Sequence, residues 1–495
     1  MRGSRVWRAL LLAAGAWVAG ERLDGQIAGR EAQAKIVELS VVALDAKGQP
    51  VGDLKADEVQ IADAGKPQKV AVFRHSDAQL QQALPLAAGE FSNRGAANVP
   101  HATLILFDLL NESFDARGTA MNYLQQGLRS LESSDNLYFY VLTVDTRLYP
   151  VIGLPGSENP APSLGGAPWT KDAKAIVEGA MAKVYGLRSV NMDIDTRVRA
   201  TYRALESVAN LLAGIPGRKN IVWITHGIPI ELGPAITGGL PVDYTPMLRR
   251  MSDVLSRVNV AIYPVMQVPP GMAMQGPDAQ YSGLGSEDTL QSFADLTGGP
   301  AKSTNAIGTV IRQALNDVRT SYQIGYYPPV EAWDGKFHKL RVTCTRKGVH
   351  LQARTGYYAV PGDATDEQDS LNAALGPAFD ASEIGIRGSK APKSASSLRF
   401  TLHINAADVR IAQQGDRYTG HLGLQVAAYS ADGSAERAPV NPMDLNWTAD
   451  ELAKARRDGI EWVQDLNLGD KVQRVRFLVF DRESHAIGTL TVPVK

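Results

Sequence analysis

The stretch "NIVWITHG", residues 220–227, has the pattern of a buried strand that ends in a polar turn. Four consecutive apolar or aromatic residues precede the polar Thr-His-Gly sequence. A second stretch, "TLILFDLLNES" (103–113), has an apolar run that stops at Asp108. Ligands of open α/β sheets bind just beyond the ends of such strands. The two strand ends are therefore the first places to look for a functional site.

Around these two strands, the region 101–319 alternates apolar strand patterns with helical patterns. This alternation predicts an α/β fold with a doubly wound, mostly parallel sheet and one antiparallel hairpin partner that turns at Asp145-Thr146. The strand in "SYQIGYY", which begins at Ser321, is expected to complete that sheet. Period-two alternation on either side predicts antiparallel β structure.

These patterns divide the chain into a leader, two β regions and an α/β centre. The predicted boundaries are a signal peptide at 1–26, a small N-terminal β module at 27–80, the α/β domain at 99–327, a β extension at 328–360, a linker at 361–396 and a C-terminal β-sandwich with one inserted helix at 397–495. Thr448 is expected to open the inserted helix.

Composition excludes some classes of protein. The 495 residues carry 51 Lys plus Arg against 52 Asp plus Glu, so no global positive field favours nucleic acid as a partner. The single cysteine, Cys344, rules out a disulfide within the chain. Stability must therefore come from core packing.

The first residues, "MRGSRVWRALLLAAGAWVAG", combine a basic start with an apolar run from Ala9 to Gly20. This pattern is typical of a signal peptide and predicts export to the periplasm or beyond the cell. An N-terminal membrane anchor is the alternative, but an apolar run of this length is too short to cross a bilayer. We expect no transmembrane span in the mature chain.

The chain resembles a known family in four ordered stretches: "LILFDLLNESF", "GRKNIVWITHGIP", "SYQIGYYPP…WDGKFHKLRV" and "GVHLQARTGYY". The family is the VWFA-related acidobacterial domain family, whose members are exported bacterial proteins with a von Willebrand factor type A-like domain. The resemblance covers roughly residues 35–360 and implies a von Willebrand A-like fold. Ligand-binding members of the wider superfamily hold Mg²⁺ with an Asp-x-Ser-x-Ser motif, a Thr and a later Asp, since Mg²⁺ requires oxygen ligands.

By this resemblance, Asp108 takes the first metal-ligand position and Thr196 the Thr position. The two Ser positions hold Leu110 and Glu112, and the later Asp position holds His226. Leu110 has no ligand atom, and imidazole is a poor ligand for Mg²⁺. We therefore predict a degenerate magnesium site and no cofactor.

The candidate binding residues all lie at or near the two strand ends: Asp108, Asn111, Glu112, Thr196 and His226. If a metal is retained, we expect its ligands to be Asp108, Glu112 and Thr196. A replacement site for a softer cation would add Asp193 or Asp195, with His226 as a ligand. The opposing interpretation is a buried or helix-capping role for the carboxylates and a buried turn position for His226.

The predicted function is an exported, non-enzymatic protein-binding or scaffolding protein whose partner is a protein or peptide. No local motif of a hydrolase, zinc protease or nucleotide-binding protein occurs in the sequence. The first alternative is a binding protein that depends on a divalent cation. The second is a secreted hydrolase with a site near Asp108 and His226.

Two further segments are candidates for contacts with a partner. The loop 267–285 is rich in Gly, Met and Pro and is expected at the ligand-binding side of the sheet. An aromatic cluster follows it in the chain: Tyr322, Tyr326, Tyr327, Trp333, Tyr357 and Tyr358. Cross-strand packing is the alternative role of these rings.

Overall fold

The computed structural model describes most of the chain after residue 35. The described ranges are 36–77, 86–94, 99–112, 114–162, 168–185, 192–266, 286–300, 302–303, 306–329, 333–359, 371, 374–375, 379–394, 397–432 and 434–494. The signal peptide predicted at 1–26 and the loop 267–285 lie outside these residues. Among the described helices, none has both the length and the apolar character needed to cross a membrane.

The helices of the described residues are concentrated between the two β regions. They are α1 (Phe114–Arg129), α2 (Ala173–Tyr185), α3 (Ile194–Leu212), α4 (Pro234–Thr237), α5 (Thr245–Arg257), α6 (Ser286–Thr297), α7 (Ile307–Arg319) and α8 (Ala449–Asp458). Short 3₁₀ turns occur at Ala56–Glu58 and Trp169–Asp172. Thr448 caps α8 as predicted, because its hydroxyl accepts a hydrogen bond from the Glu451 amide.

The strands are numbered along the chain. Those before residue 300 are β1 (Val37–Leu44), β2 (Val59–Asp63), β3 (Lys66–Gln68), β4 (Val72–Asp77), β5 (Glu90–Ser92), β6 (Ala102–Asp108), β7 (Leu137–Leu142), β8 (Leu148–Ile152), β9 (Lys219–Thr225), β10 (Glu231–Leu232), β11 (Val242–Asp243) and β12 (Val260–Met266). Those after it are β13 (Lys302–Ser303), β14 (Thr320–Tyr326), β15 (Phe337–Cys344), β16 (His350–Gln352), β17 (Gly356–Tyr358), β18 (Ile386–Ser394), β19 (Ser397–Ile404), β20 (Ala412–Gln414), β21 (Arg417–Ser430), β22 (Ala435–Arg437), β23 (Asn441–Trp447), β24 (Ile460–Asn467), β25 (Val472–Asp481) and β26 (Ile487–Pro493).

The predicted fold class, a von Willebrand A-like doubly wound and mostly parallel α/β sheet, is wrong for this chain. The described residues are 40% strand and 27% helix, and most of the sheets are small and antiparallel. Parallel pairs occur in one described sheet, and that sheet is mixed because β8 runs antiparallel to β7. The prediction gave most weight to the alternating region 101–319, whereas antiparallel pairing dominates the rest of the chain.

The mixed sheet has six strands in the order β13-β12-β9-β6-β7-β8. Its central strands β6 and β9 are buried along their whole length, as their continuous apolar runs predict. One face packs against α3, α5 and α6, and the other packs against α1, α2 and α7. The hairpin predicted at Asp145-Thr146 is confirmed by the pairing of β7 with β8. We call the side of the sheet at which β6, β9 and β12 end the carboxyl edge.

The strand predicted to complete this sheet, β14, instead pairs antiparallel with β1 and β4. A neighbouring sheet joins β15 to β2 in the same manner. The N-terminal strands and the segment 320–358 therefore share one core, in which Tyr322, Tyr326 and Tyr357 are buried. Burial of these three rings agrees with cross-strand packing, the alternative to a role in contacts with a partner.

The C-terminal region contains two antiparallel sheets, with strand orders β24-β19-β18-β5 and β20-β21-β25-β26. The short strand β5, which comes before the mixed sheet in the chain, forms the edge of the first of these. Apolar residues of both sheets contribute to one core, which includes Phe400, Trp462 and Phe477. The pairing of β5 with β18 therefore links the C-terminal region to the N-terminal half, in addition to the covalent connection along the chain.

Candidate functional site

Asp108 lies at the end of β6 and is fully buried. Its Oδ2 accepts hydrogen bonds from Asn111 Nδ2 (2.8 Å), Thr225 Oγ1 (2.8 Å) and Trp223 Nε1 (3.1 Å). Its Oδ1 accepts one from the Asn111 amide (3.1 Å). Burial raises the pKa of Asp108, while these hydrogen bonds act in the opposite direction. The two strand ends selected from the sequence therefore meet, but they meet through a hydrogen-bond network within the protein.

The sequence accounts for this network through the register of two parallel strands. Phe107 of β6 stands opposite Ile224 of β9, which brings Thr225 beside Asp108. Trp223 has the same side-chain orientation as Thr225, because residues two apart in a strand point to the same face. The strand pattern treats Trp223 as an apolar residue. Its indole N–H nevertheless donates a hydrogen bond to Asp108.

Asn111 connects this network to helix α3. Its Nδ2 also donates to Thr201 Oγ1 at 2.7 Å, and the Thr201 hydroxyl in turn donates to the carbonyl oxygen of Arg197 at 2.9 Å. Thr201 was not among the residues singled out from the sequence. A Thr inside a helix gives no local signal, because its hydroxyl usually returns to the helix backbone.

Glu112 and His226 form a second, separate contact at the carboxyl edge. Both residues are buried, and His226 Nδ1 lies 3.4 Å from Glu112 Oε2. The contact becomes an ion pair when His226 carries a proton. The hydrolase alternative placed its site near Asp108 and His226, and the carboxylate in contact with His226 is that of Glu112.

Thr196 lies in the first turn of α3 and donates hydrogen bonds to the residue that caps this helix. Its amide donates to Asp193 Oδ1 (2.9 Å), and its hydroxyl donates to Asp193 Oδ2 (2.7 Å), so that Asp193 acts as an N-cap. Asp195 accepts hydrogen bonds from Arg199 and from the Tyr244 hydroxyl. The three side chains predicted as further ligands are therefore engaged in capping and packing contacts.

This arrangement bears on whether the carboxyl edge can bind a metal. Asn111 and Trp223 offer N–H groups to Asp108, which a cation would have to displace from a buried carboxylate. Within the described parts of the chain, no group of three or more His, Cys, Asp and Glu side chains is placed to hold a metal ion. At this edge Asp108 is held by hydrogen bonds, whereas both Glu112 oxygens are buried and make no hydrogen bond within the described residues.

A hairpin at the same edge was not foreseen from the sequence. Strands β10 and β11 follow β9 and pair antiparallel, with α4 and a Gly-rich turn between them. Leu240, near the tip, is 85% exposed, more than any other exposed large hydrophobic residue in the described ranges. Tyr244 fixes the base of the hairpin, since its amide donates to the Ile230 carbonyl and its hydroxyl to Asp195.

Comparison with known proteins adds no relative: no protein-family model matches the chain, and the search of curated proteins gave no significant match. The resemblance to the VWFA-related acidobacterial domain family therefore stays a prediction that rests on the four quoted stretches.

Proposed function

We propose that this chain is an exported, non-enzymatic binding protein that recognises a protein or peptide with the loops at the carboxyl edge of its mixed sheet, without a bound cation. The observation that carries the proposal is the β10–β11 hairpin, which follows β9 in the chain and leaves the Leu240 side chain 85% exposed. Loops that a folded scaffold holds in place are common binding sites in proteins, and this loop exposes a large apolar side chain.

The Asp108 network supports the part of the proposal that concerns the cation. Four hydrogen bonds from three residues occupy its two oxygens, so the carboxylate has little capacity left for a metal. Removing those hydrogen bonds would leave the buried indole N–H of Trp223 without its acceptor, which is costly. The edge is better suited to hold loops in place than to coordinate an ion.

Site-specific photo-crosslinking tests where the partner binds. Leu240 is replaced by a photoreactive phenylalanine derivative in the full chain, which is expressed in the organism that encodes it. Val463 is the matched control, because it is also an exposed apolar residue (45%) but lies on β24 of the C-terminal region. We expect a discrete adduct from position 240 that is absent from position 463. Identical adducts from both positions, or none from position 240, would contradict the proposal.

Thermal unfolding of the metal-stripped full chain separates the proposal from the cation-dependent alternative. Mg²⁺, Mn²⁺, Ca²⁺ and Zn²⁺ are added in turn to the wild type and to Asp108→Asn. We expect no cation-specific rise in the melting temperature. A rise of several degrees in the wild type that is absent in the variant would show a working metal site, because ligands that bind the native state stabilise it.

The hydrolase alternative depends on the Glu112–His226 contact. It predicts ester or peptide hydrolysis that is abolished in His226→Gln while the fold is retained. The binding proposal predicts that crosslinking at position 240 persists in the same variant, because His226 is buried and does not belong to the exposed hairpin.

A further inference from the structure

A polar cavity of about 250 Å³ lies at the end of the mixed sheet opposite to the carboxyl edge. Three parts of the molecule line it. The N-terminal β unit, which we define as β1–β4 together with β14–β17, contributes residues such as Glu38 and Arg74. The segments that lead into β9 and β12 contribute Gly217 and Asn259. The C-terminal region contributes Arg410. A water molecule needs only about 10–15 Å³ of such space, so the cavity has room for a larger group.

The cavity lining is rich in positive charge. Its charged residues are five arginines and three carboxylates: Arg74, Arg94, Arg257, Arg354, Arg410, Glu38, Glu383 and Asp408. Each carboxylate already has a cationic partner, since Asp408 pairs with Arg94 (3.0 Å), Glu383 with Lys219 (3.3 Å) and Glu38 with Arg410.

Arg74 and Arg354 form no ion pair with a carboxylate in the described part of the chain. Arg354 donates only to neutral oxygens, namely the Ser256 hydroxyl (2.8 Å) and the Glu38 carbonyl (2.9 Å). Burial lowers the pKa values of both Arg354 and Arg410, because a guanidinium ion loses hydration there. An anion in the cavity would offset that loss.

Several nitrogen atoms of the lining are buried and make no hydrogen bond within the described residues. They are Nε and Nη1 of Arg410, Nε of Arg354 and Nε2 of His75. The Arg410 side chain is only 5% exposed, so leaving its donors unpaired costs free energy. Glu38 Oε1, which faces the Arg410 guanidinium, is a buried acceptor of the lining that also makes no hydrogen bond within the described residues. Guanidinium nitrogens can only donate, so among these described atoms the unpaired guanidinium donors outnumber the unpaired acceptor.

We propose that this cavity binds a tetrahedral oxyanion, either inorganic phosphate or the phosphate of a phosphomonoester, through the guanidinium groups of Arg74, Arg354 and Arg410. Phosphate is rich in acceptor oxygens, carries the charge that the lining lacks, and matches the planar fork of arginine. The bound anion would join the N-terminal β unit to the C-terminal region. This inference is independent of the proposed function, because the two sites lie at opposite ends of the mixed sheet.

Isothermal titration calorimetry of the full chain with potassium phosphate tests the inference, with potassium chloride at equal ionic strength as the reference. Arg74→Gln is the diagnostic variant, because Arg74 is partly exposed and its loss breaks no ion pair with a carboxylate of the described residues. Arg341→Gln is the matched control: it removes the same charge from an exposed position on β15 outside the cavity. Unfolding midpoints measured without phosphate verify that both variants fold.

We expect saturable one-site binding to the wild type and to Arg341→Gln. In Arg74→Gln the affinity should fall by about tenfold or more, the usual effect of losing a hydrogen bond to a charged group. Tighter binding of phosphoserine than of phosphate would assign the site to phosphomonoesters, and the reverse order would assign it to the free anion. Either result supports the inference. Absence of binding at millimolar phosphate, equal binding by Arg74→Gln, or binding of succinate in place of phosphate would overturn it.

Discussion

At the scale of single residues, the position of Asp108 was predictable but its role was not. An apolar run that stops at Asp predicts a carboxylate at a strand end, and the structure places it there. Its hydrogen-bond partners depend on strand register and on a helix far along the chain, neither of which is visible in a local pattern. The indole of Trp223 illustrates the difficulty, because the same residue is both a core side chain and a polar donor.

His101 gives a prediction of how stability depends on pH. It is only 8% exposed, and burial, followed by the nearby Arg319, lowers its pKa from 6.5 to about 4. Between these two values the unfolded chain binds a proton that the folded chain does not, so stability falls as the pH falls from 6.5 to 4. The full effect is roughly 3 kcal/mol. Urea unfolding between pH 4 and pH 7 should show a weaker pH dependence for His101→Gln than for the wild type.

His350, an exposed histidine on β16, supplies the control for this measurement. His350→Gln should leave the difference in stability between pH 4 and pH 7 close to that of the wild type. If His101→Gln and the wild type give parallel curves, the charge state of His101 does not contribute to acid unfolding.

At the scale of elements, α1 and α7 cross with their backbones in contact. The crossing occurs at Gly127 and Gly308, where a Cβ atom on Gly308 would lie 2.8 Å from the Gly127 Cα. A Cβ atom on Gly127 would lie 2.7 Å from the Gly308 amide nitrogen. Backbone atoms cannot yield as a flexible side chain does, so the two helices would have to move apart.

Alanine substitutions at two glycines test the importance of this crossing. Gly308→Ala should reduce the free energy of unfolding by about 1–3 kcal/mol, the usual cost of overpacking. Gly118→Ala on α1 is the control, and we do not expect it to destabilise the protein, because no neighbouring heavy atom lies within 4 Å of the Cβ position. It should be neutral or stabilise by up to about 1 kcal/mol, since Ala favours helix. Equal effects of the two substitutions in chemical denaturation would contradict the account.

Elements of this size were the part of the fold that the sequence predicted best. Helix α8 begins after Thr448, the capping residue that the sequence indicates, and β6 and β9 are the buried strands that their apolar runs indicate. Periodicity and caps are local properties, so they identify the type of an element. They contain little information about which strands will pair with one another. Strand β14, which was expected in the mixed sheet, pairs with β1 and β4 instead.

At the scale of the whole molecule, contacts between distant segments hold the N-terminal β unit together. Asp63 at the end of β2 is buried and accepts hydrogen bonds from the hydroxyls of Tyr326 (2.8 Å) and Tyr357 (3.0 Å). His338 Nδ1 lies 3.1 Å from its other oxygen. Burial raises the pKa of Tyr326, so the phenol keeps its proton and remains a donor. Long-range contacts of this kind explain why a fold class inferred from the 101–319 pattern failed for the chain.

Replacing Asp63 should weaken the whole N-terminal β unit. Asp63→Ala removes the acceptor that two buried phenols share, which should cost on the order of 3 kcal/mol of unfolding free energy. Asp57→Ala, at an exposed position of the preceding 3₁₀ turn, is expected to change stability by less than about 0.5 kcal/mol. Urea denaturation of both variants provides the comparison. A similar small loss for Asp63→Ala would mean that the cluster contributes little.

The pairing of β1 with β14 also sets the order in which the protein can mature. β1 emerges from the ribosome early, but the strand that covers one of its edges is synthesised only after the entire helical region. At about 5–20 residues per second, this interval lasts tens of seconds. During it, β1 and β4 expose uncovered strand edges that can pair with other nascent chains. Holding chaperones should therefore be needed most before residue 320 has been translated, and β1 should be among the last strands to gain protection from hydrogen exchange.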